Sequence, residues 1–382
     1  MRSWRLVCSG CGAKRPGAEL ATTCTVCGQP FLVEYEGRAP RRDQLHPRSD
    51  MWRYAPLLPL VADEEPVTLG EGATPLLEAR KAARLAGVRR VWIKEEGLNP
   101  TGSFKARGMS AAVTRARALG CKGLVVPTAG NAGAALAAYG AAAGLTVRVY
   151  APRETPANIL TTIRTFGAEL CLVEGHIGDA GKAARAFAAE SGYFDVSTLR
   201  EPYRIEGKKT MGVEIAEQLG WAALPTHIVY PTGGGTGLIG MWKVFNELRA
   251  LGWIPSDLQL PRMIVAQAAD CAPIVRAHAA GADRATPWEN PTTHAAGLRV
   301  PGPLGDRLIL RALRESGGDA AAVGEEEIRS TTEWLARETG IDAAPEGGCA
   351  LAVLQLLVQE GRIPRDADVV VFNTGSGSSY RT

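Results

Sequence analysis

The chain has 382 residues, with 44 glycines, 24 prolines, 46% hydrophobic and 6% aromatic residues, and a formal net charge of +3. Average usage would give about 27 glycines at this length, and the surplus follows no three-residue period, so a collagen-like chain is excluded. The apolar content excludes disorder, and so small a charge gives no reason to expect a nucleic-acid or membrane partner.

Two CxxCG knuckles lie near the amino terminus, CSGCG with Cys8 and Cys11 and CTVCG with Cys24 and Cys27. Four thiolates in pairs suit a tetrahedral zinc ion, and the glycines let each knuckle turn tightly under the metal. Four sulfur ligands leave no open position, so the zinc expected here is structural. A ribbon that has lost its metal or carries iron is the alternative. Cys121, Cys171, Cys271 and Cys349 sit among apolar neighbours and read as buried small hydrophobes. The opening MRSWRLVCSGCG lacks a signal-peptide core. The Pro- and Arg-rich stretch from Gly37 to Asp50 reads as a linker.

From about Met51 the pattern alternates. Strand-like runs are VWIK (91–94), GLVVP (123–127), TVRVY (146–150), ELCLV (169–173), HIVYP (227–231), RMIVAQ (262–267) and DVVVFN (368–373). Helical stretches fall at 104–119, 131–143, 178–190, 236–251, 325–338 and 346–359. The acidic run Glu325, Glu326, Glu327 suits a helix start. Such alternation predicts an α/β protein with open, mostly parallel sheets. No apolar run reaches the ~18 residues of a membrane span, because Pro127, Thr128 and Asn131 break the one candidate, Gly123 to Leu145. A cytoplasmic location is expected.

Four turns stand where a strand meets a helix or ends, the place where open α/β sheets bind ligands. In KEEGLNPTGSFKARG (94–108), Lys105 stands at a helix start. The helix dipole disfavours an ammonium there, which makes a neutral amine available for imine chemistry; a solvated surface lysine is the bland alternative. PTAGNAG (127–133) offers helix-start N–H groups with Thr128 and Asn131 as a pocket for a carboxylate or phenolate, or serves only as a helix cap. PTGGGTGLIG (231–240) places three consecutive glycines at a helix N-terminus, a phosphate cradle. Its GTGLIG formally satisfies GxGxxG, yet the next strand ends at Gln267 rather than at the acid a dinucleotide site wants. Finally, FNTGSG (372–377) sets Thr374 at a strand end, where a hydroxyl suits a ring nitrogen; a plain terminal turn is the alternative.

One cofactor would use all four turns: an aldehyde for Lys105, a phenolate oxygen for Asn131, a phosphate for the glycines and a ring nitrogen for Thr374. That describes pyridoxal phosphate. A neutral hydroxyl partner leaves the ring nitrogen largely unprotonated and favours elimination and replacement over transamination.

GSFKARGM, TAGNAG, the GGGTG loop and NTGSG together resemble the tryptophan-synthase-β-like group, the fold-type II pyridoxal-phosphate enzymes. Within it, LGEGATPL (69–76), NPTGSFK (99–105), RIEGKKT (204–210), PRMIVAQAADCAPIV (261–275) and ESGGDAAAVGEEEI (315–328) are similar to segments of threonine synthases. The resemblance runs from about Thr68 to the carboxyl end. It implies a zinc ribbon over 1–37, a linker and arm over 38–67, and a catalytic region over 68–382 with a smaller domain at roughly 106–204. It further implies formation of threonine from O-phosphohomoserine and water in a homodimer, with Lys105 holding the cofactor and acting as general base. Asn131 would meet the phenolate, Gly233, Gly234, Gly235, Thr236 and Gly237 the cofactor phosphate, and Thr374 the ring nitrogen. Ser103 and Thr128 would bind substrate, and Arg204 would hold its phosphate bidentately. The chain departs from the family at Ala106, at Ala129 and Ala132, and in the triple glycine; TAGNAG and the triple glycine resemble serine/threonine dehydratases more closely. A dehydratase or β-replacement enzyme is therefore the second reading, and a non-catalytic regulator the third. The histidines at 46, 176, 227, 278 and 294 show no metal spacing and no nucleophile partner and favour bland readings, with His294, in the THAAGLRVP loop, the one minor candidate for lining the site.

Overall fold

A computed structural model describes residues 2–381, which divide into two units: residues 2–73 with 99–210, and 74–98 with 211–381. In the first unit the aliphatic runs form a parallel sheet in the order Glu169–Val173, Val147–Pro152, Leu124–Pro127, Phe194–Asp195. Parallel strands need crossover connections, here the helices Asn131–Ala143, Ala157–Thr165 and Ile177–Ser191. Val113, Leu124, Val126, Leu136, Tyr139, Val149 and Ile163 form its core. Each aliphatic side chain among them contributes roughly 1.5–3 kcal/mol on full burial.

The amino-terminal strands Ser3–Cys8, Lys14–Pro16 and Phe31–Glu36 make a three-stranded antiparallel sheet. Alternate residues Trp4, Leu6 and Cys8 point inward and pack with Phe31, Val33, Ala112 and Tyr203. The segment read as a linker and arm is packed in its second half: Met51, Trp52, Ala55, Leu58 and Leu60 lie against Ala111. Trp52 donates its indole N–H to Ser110 Oγ, 2.9 Å away.

The second unit holds a six-stranded sheet in the order Asp319–Val323, Arg262–Ala268, His227–Pro231, Asp368–Asn373, Arg90–Glu95, Leu76–Glu78. All neighbours are parallel except the last, where Leu76–Glu78 runs antiparallel at the edge. The helix Pro345–Gln359 is buried against this sheet through Leu351, Leu354 and Leu357.

The α/β class is as expected, and the predicted strands and helices agree with the observed ones to within two residues at each end. Among the elements that the pattern does not announce are the strand Asp319–Val323 and the helices Ala157–Thr165, Tyr203–Gln218 and Asp306–Ser316. The first of these is mostly alanine, with no β-branched signal before Val323. The helix Tyr203–Gln218 is rich in charge and glycine, so it shows no apolar stripe, although its first half is buried on every side. That first half crosses the helix Lys105–Ala118 with backbone nearly in contact. A Cβ at Gly207 would lie 2.0 Å from the Arg107 carbonyl oxygen, and one at Gly108 would lie 2.9 Å from Lys208 Cε. At Gly207 only glycine permits this approach, because the neighbour is backbone.

Candidate active site and metal centre

In the first unit, Lys105 is the first residue of its helix, with Nζ 3.9 Å from the centroid of the neighbouring Phe104 ring. Ser103, two residues earlier, is buried, and its hydroxyl has no hydrogen-bond partner among the described residues. Arg204 is 1% exposed. Its Nη1 donates to the Val196 carbonyl at 2.7 Å, while Nε and Nη2, the other fork of the guanidinium, have no partner among the described residues. Burial lowers the Arg204 pKa against the pull of Glu201 and Asp195. An arginine fork left empty in the interior is the shape that a carboxylate or phosphate fills.

The Thr128 turn carries a built-in clasp. The hydroxyl accepts from the Gly130 N–H at 3.0 Å and the Gly133 N–H at 3.3 Å, and donates to the Gly130 carbonyl at 2.8 Å. Its hydrogen-bonding capacity is thus spent on shaping the loop. What the loop offers a ligand is the opening turn of the helix Asn131–Ala143, with Asn131 as its first residue.

In the second unit, strand His227–Pro231 leads through the glycines into the helix Thr236–Ala250, with Gly235 left-handed at φ +76°. A Cβ at Gly233 would meet the Gly297 carbonyl oxygen at 2.2 Å, one at Gly235 the Ile309 Cδ1 at 2.3 Å, and one at Gly237 the Tyr230 Oη at 2.1 Å. The loop is bare because its outer wall admits no side chain, and its N–H groups gather at a helix N-terminus. That arrangement fits a phosphate.

Behind the cradle stands Glu346. It accepts the Gly297 N–H at 2.7 Å and the Tyr380 hydroxyl, so it holds the segment on which Gly233 rests. A buried acid in the otherwise apolar helix Pro345–Gln359 was its only signal in the sequence. Thr374 follows the strand Asp368–Asn373 and is buried. Beside it in sequence, Asn373 donates to both carboxylate oxygens of Glu95, at 2.7 and 2.9 Å, and the Gly97 N–H reaches the same group at 2.9 Å. Burial, opposed by those donors, pushes the Glu95 carboxyl up to about 7. His294 pairs through Nδ1 with Glu325.

The four amino-terminal cysteines come together, with all sulfurs within 4.8 Å of one another. Cys8 and Cys27 are 3.3 Å apart and Cys11 and Cys24 3.7 Å. Tetrahedral zinc at ~2.3 Å from each sulfur requires separations of about 3.8 Å, so the cluster fits with only small adjustment. Gly12 and Gly28 take left-handed φ of +73° and +71°, the tight turn expected of each knuckle. The sulfurs titrate together: burial raises the Cys8 thiol, but the N–H groups of Cys11 and Gly10 and the thiols of Cys27 and Cys11 outweigh it and lower it, while contacts with the thiols of Cys27 and Cys8 push Cys11 up.

Residues 67–375 match the family described as pyridoxal-phosphate dependent enzyme. The chain belongs to this family. It is 38% identical to a threonine synthase of Methanosarcina acetivorans over 97% of this chain and 91% of that one. Identity is 35%, with the same two coverages, to a threonine synthase of Methanocaldococcus jannaschii. A threonine synthase of Mycobacterium tuberculosis is 35% identical over 85% of this chain and 86% of its own length. Among solved structures, a T.th. threonine deaminase superposes with a TM-score of 0.66 at 27% identity, covering 79% of this chain and 92% of that one. Maize serine racemase reaches a TM-score of 0.68 at 20% identity over 80% and 88%, a likeness of fold alone. The architecture is that of fold-type II pyridoxal-phosphate enzymes, and no described helix is long and apolar enough to cross a membrane.

Proposed function

We propose that this enzyme is a carbon–oxygen lyase of the threonine-synthase type, converting O-phospho-L-homoserine and water to L-threonine and phosphate. The observation that carries this reading is the empty, buried fork of Arg204 in the same unit as Lys105. Every amino-acid substrate brings a carboxylate, which the Thr128 loop would hold; O-phosphohomoserine brings a second anion, a phosphate, for such a fork, and serine and threonine do not. The names of the curated relatives support the same choice.

Pyridoxal phosphate, when bound, supplies an electron sink for charge developing at the substrate Cα. Lys105 would hold the cofactor by its amine and then, once released, move protons between Cα, Cβ and Cγ of the substrate. The N–H groups of Gly233, Gly234, Gly235 and Gly237, with Thr236, would hold the cofactor phosphate at the helix N-terminus. Asn131 would face the phenolate and Thr374 the ring nitrogen. The loop that Thr128 braces would hold the substrate carboxylate, with Ser103 alongside. Arg204 would hold the phosphate, which leaves Cγ as a proton leaves Cβ; a proton then returns to Cγ and water adds at Cβ. The cysteine cluster would bind one structural zinc ion, and the working form would be a homodimer with no nucleic-acid or membrane partner, in the cytoplasm.

The dehydratase reading rests on TAGNAG and the triple glycine. Incubation with O-phosphohomoserine and, separately, with threonine separates the two. Phosphate release from the first is the expected result. Keto acid from threonine without phosphate from O-phosphohomoserine would overturn the proposal. A purified protein with no visible cofactor band after addition of pyridoxal phosphate would leave only the regulator.

A further inference from the structure

Resting on the reading of Arg204 above, we propose that the amino-terminal ribbon is coupled to the phosphate subsite, with Tyr203 as the positioning residue that ties zinc occupancy to the grip of the Arg204 fork. Arg204 stands in the opening turn of the helix Tyr203–Gln218. N–H groups in such a turn lack intrahelical partners, and helix ends are the parts that fray. Here Glu201 accepts the N–H groups of Tyr203 at 2.7 Å and of Arg204 at 3.1 Å. The ribbon supplies a further hold.

Tyr203 is fully buried, and its hydroxyl donates to the Gly17 carbonyl at 3.0 Å. Gly17 lies in the loop between the two cysteine knuckles and seats closely on the first ribbon strand, since a Cβ there would come 2.7 Å from the Trp4 carbonyl oxygen. Tyr203 packs in one cluster with Trp4, Cys8, Cys24 and Phe31, so two of the four clustered cysteines belong to the core that it enters. One turn along the helix, Glu206 accepts the Tyr35 hydroxyl at 2.5 Å, and Lys209 donates to the same hydroxyl at 3.2 Å. Glu206 and Lys209 pair at 2.7 Å, and both are fully buried. Tyr35 belongs to the ribbon strand Phe31–Glu36, whose first residue pairs with Cys8. The ribbon therefore grips this helix just before Arg204 and again just after it.

Three short strands bury too little apolar surface to hold their shape unaided, and chains below about 40 residues generally need a metal or disulfides. The loop that carries Gly17 thus depends on the ion that closes the two knuckles. An arginine fork meets a phosphate bidentately only when its own backbone is fixed to within roughly 0.5 Å. Loss of the Gly17 and Tyr35 contacts frees the opening turn, and Arg204 moves with it. The glycine loop at 233–237 belongs to the second unit, so the effect falls on the substrate phosphate rather than on the cofactor.

The test titrates inorganic phosphate, by calorimetry, into the zinc-bound holoenzyme, the same protein after chelation, and Tyr203→Phe, which keeps the ring and loses the bond to Gly17. Chelation is expected to weaken phosphate binding at least about fivefold. Tyr203→Phe should weaken it roughly two- to tenfold, the worth of one hydrogen bond. In that variant KM for O-phosphohomoserine should rise in parallel, with kcat, zinc content and the cofactor dissociation constant within about twofold of wild type. Coupling is reciprocal, so phosphate must raise zinc affinity by the factor by which zinc raises phosphate affinity. Competition for zinc against a chromogenic chelator, with and without phosphate, reads that factor without turnover, and in Arg204→Ala the phosphate effect should vanish. Tyr35→Phe carries the test if Tyr203→Phe does not fold. Unchanged phosphate affinity after chelation and in the variant, or a parallel loss of cofactor, would overturn the coupling. A zinc-bound wild type that binds no phosphate, or binding that survives Arg204→Ala, would instead defeat the reading of Arg204.

Discussion

Gly233→Ala should damage cofactor binding through backbone rather than through lost chemistry. The new methyl carbon would lie 2.2 Å from the Gly297 carbonyl oxygen and 2.9 Å from Val300 Cγ2. Ordinary carbon–oxygen contact needs roughly 1 Å more than the first of these distances. The oxygen cannot rotate away, because it belongs to a residue whose own N–H is held by Glu346 at 2.7 Å. The cradle must therefore move, and overpacking of this kind costs about 1–3 kcal/mol. If the displacement falls on the phosphate N–H groups, affinity for pyridoxal phosphate should fall between roughly fivefold and a hundredfold. Titration of the apoprotein with the cofactor, read at its visible band, measures this directly. Gly178→Ala is the control, since nothing lies within 4 Å of that position, which sits in the helix Ile177–Ser191. It should bind cofactor normally and gain up to about 1 kcal/mol of stability. Normal cofactor affinity in Gly233→Ala would refute the idea that its bareness serves the phosphate.

Glu95 should make stability fall as pH rises. Its carboxyl is about 7 in the folded protein against 4.5 for the unperturbed group, so the stability it contributes is complete below 4.5 and lost by the time pH passes 7. The amplitude is up to about 3 kcal/mol, and Glu95→Gln should flatten that part of the profile in urea unfolding of the apoprotein; an unchanged slope would show that burial does not govern this group. Glu214→Ala leaves buried Lys94 without its carboxylate at 2.7 Å. It should cost roughly 3–5 kcal/mol, read as a lower unfolding midpoint, and a cost under about 1 kcal/mol would contradict the pairing. Purified protein should hold about one zinc per chain. Cys24→Ala, or chelation, should remove it and expose the ribbon to proteolysis, whereas a wild type free of metal would dismiss the site.

Much of the candidate site is legible residue by residue. Gly12, Gly28 and Gly235 adopt positive φ, a local property that follows from lacking a Cβ. Lys105, Asn131 and Thr236 each open a helix after a turn, as the punctuation of the chain indicates. Glu346 shows in the sequence only as an acid in a mostly apolar helix, because its meaning lies in Gly297, 49 residues away. Thr128 was read as a ligand contact, yet its hydroxyl is spent on its own loop, which only bond geometry could reveal.

The sequence by itself determined the fold class, the cysteine knuckles, the bare glycine loop and the lysine at a helix start. All of these depend on neighbours a few residues apart and on intrinsic backbone preferences. Tertiary structure alone decided that a charged, stripeless helix would be buried. It also decided that this helix would cross the Lys105 helix at Gly108 and Gly207, bringing Arg204 and Lys208 to the face that Lys105 shares. The reason is physical: burial of a charge depends on which partners and which close backbone contacts surround it, and those come from segments distant in the chain.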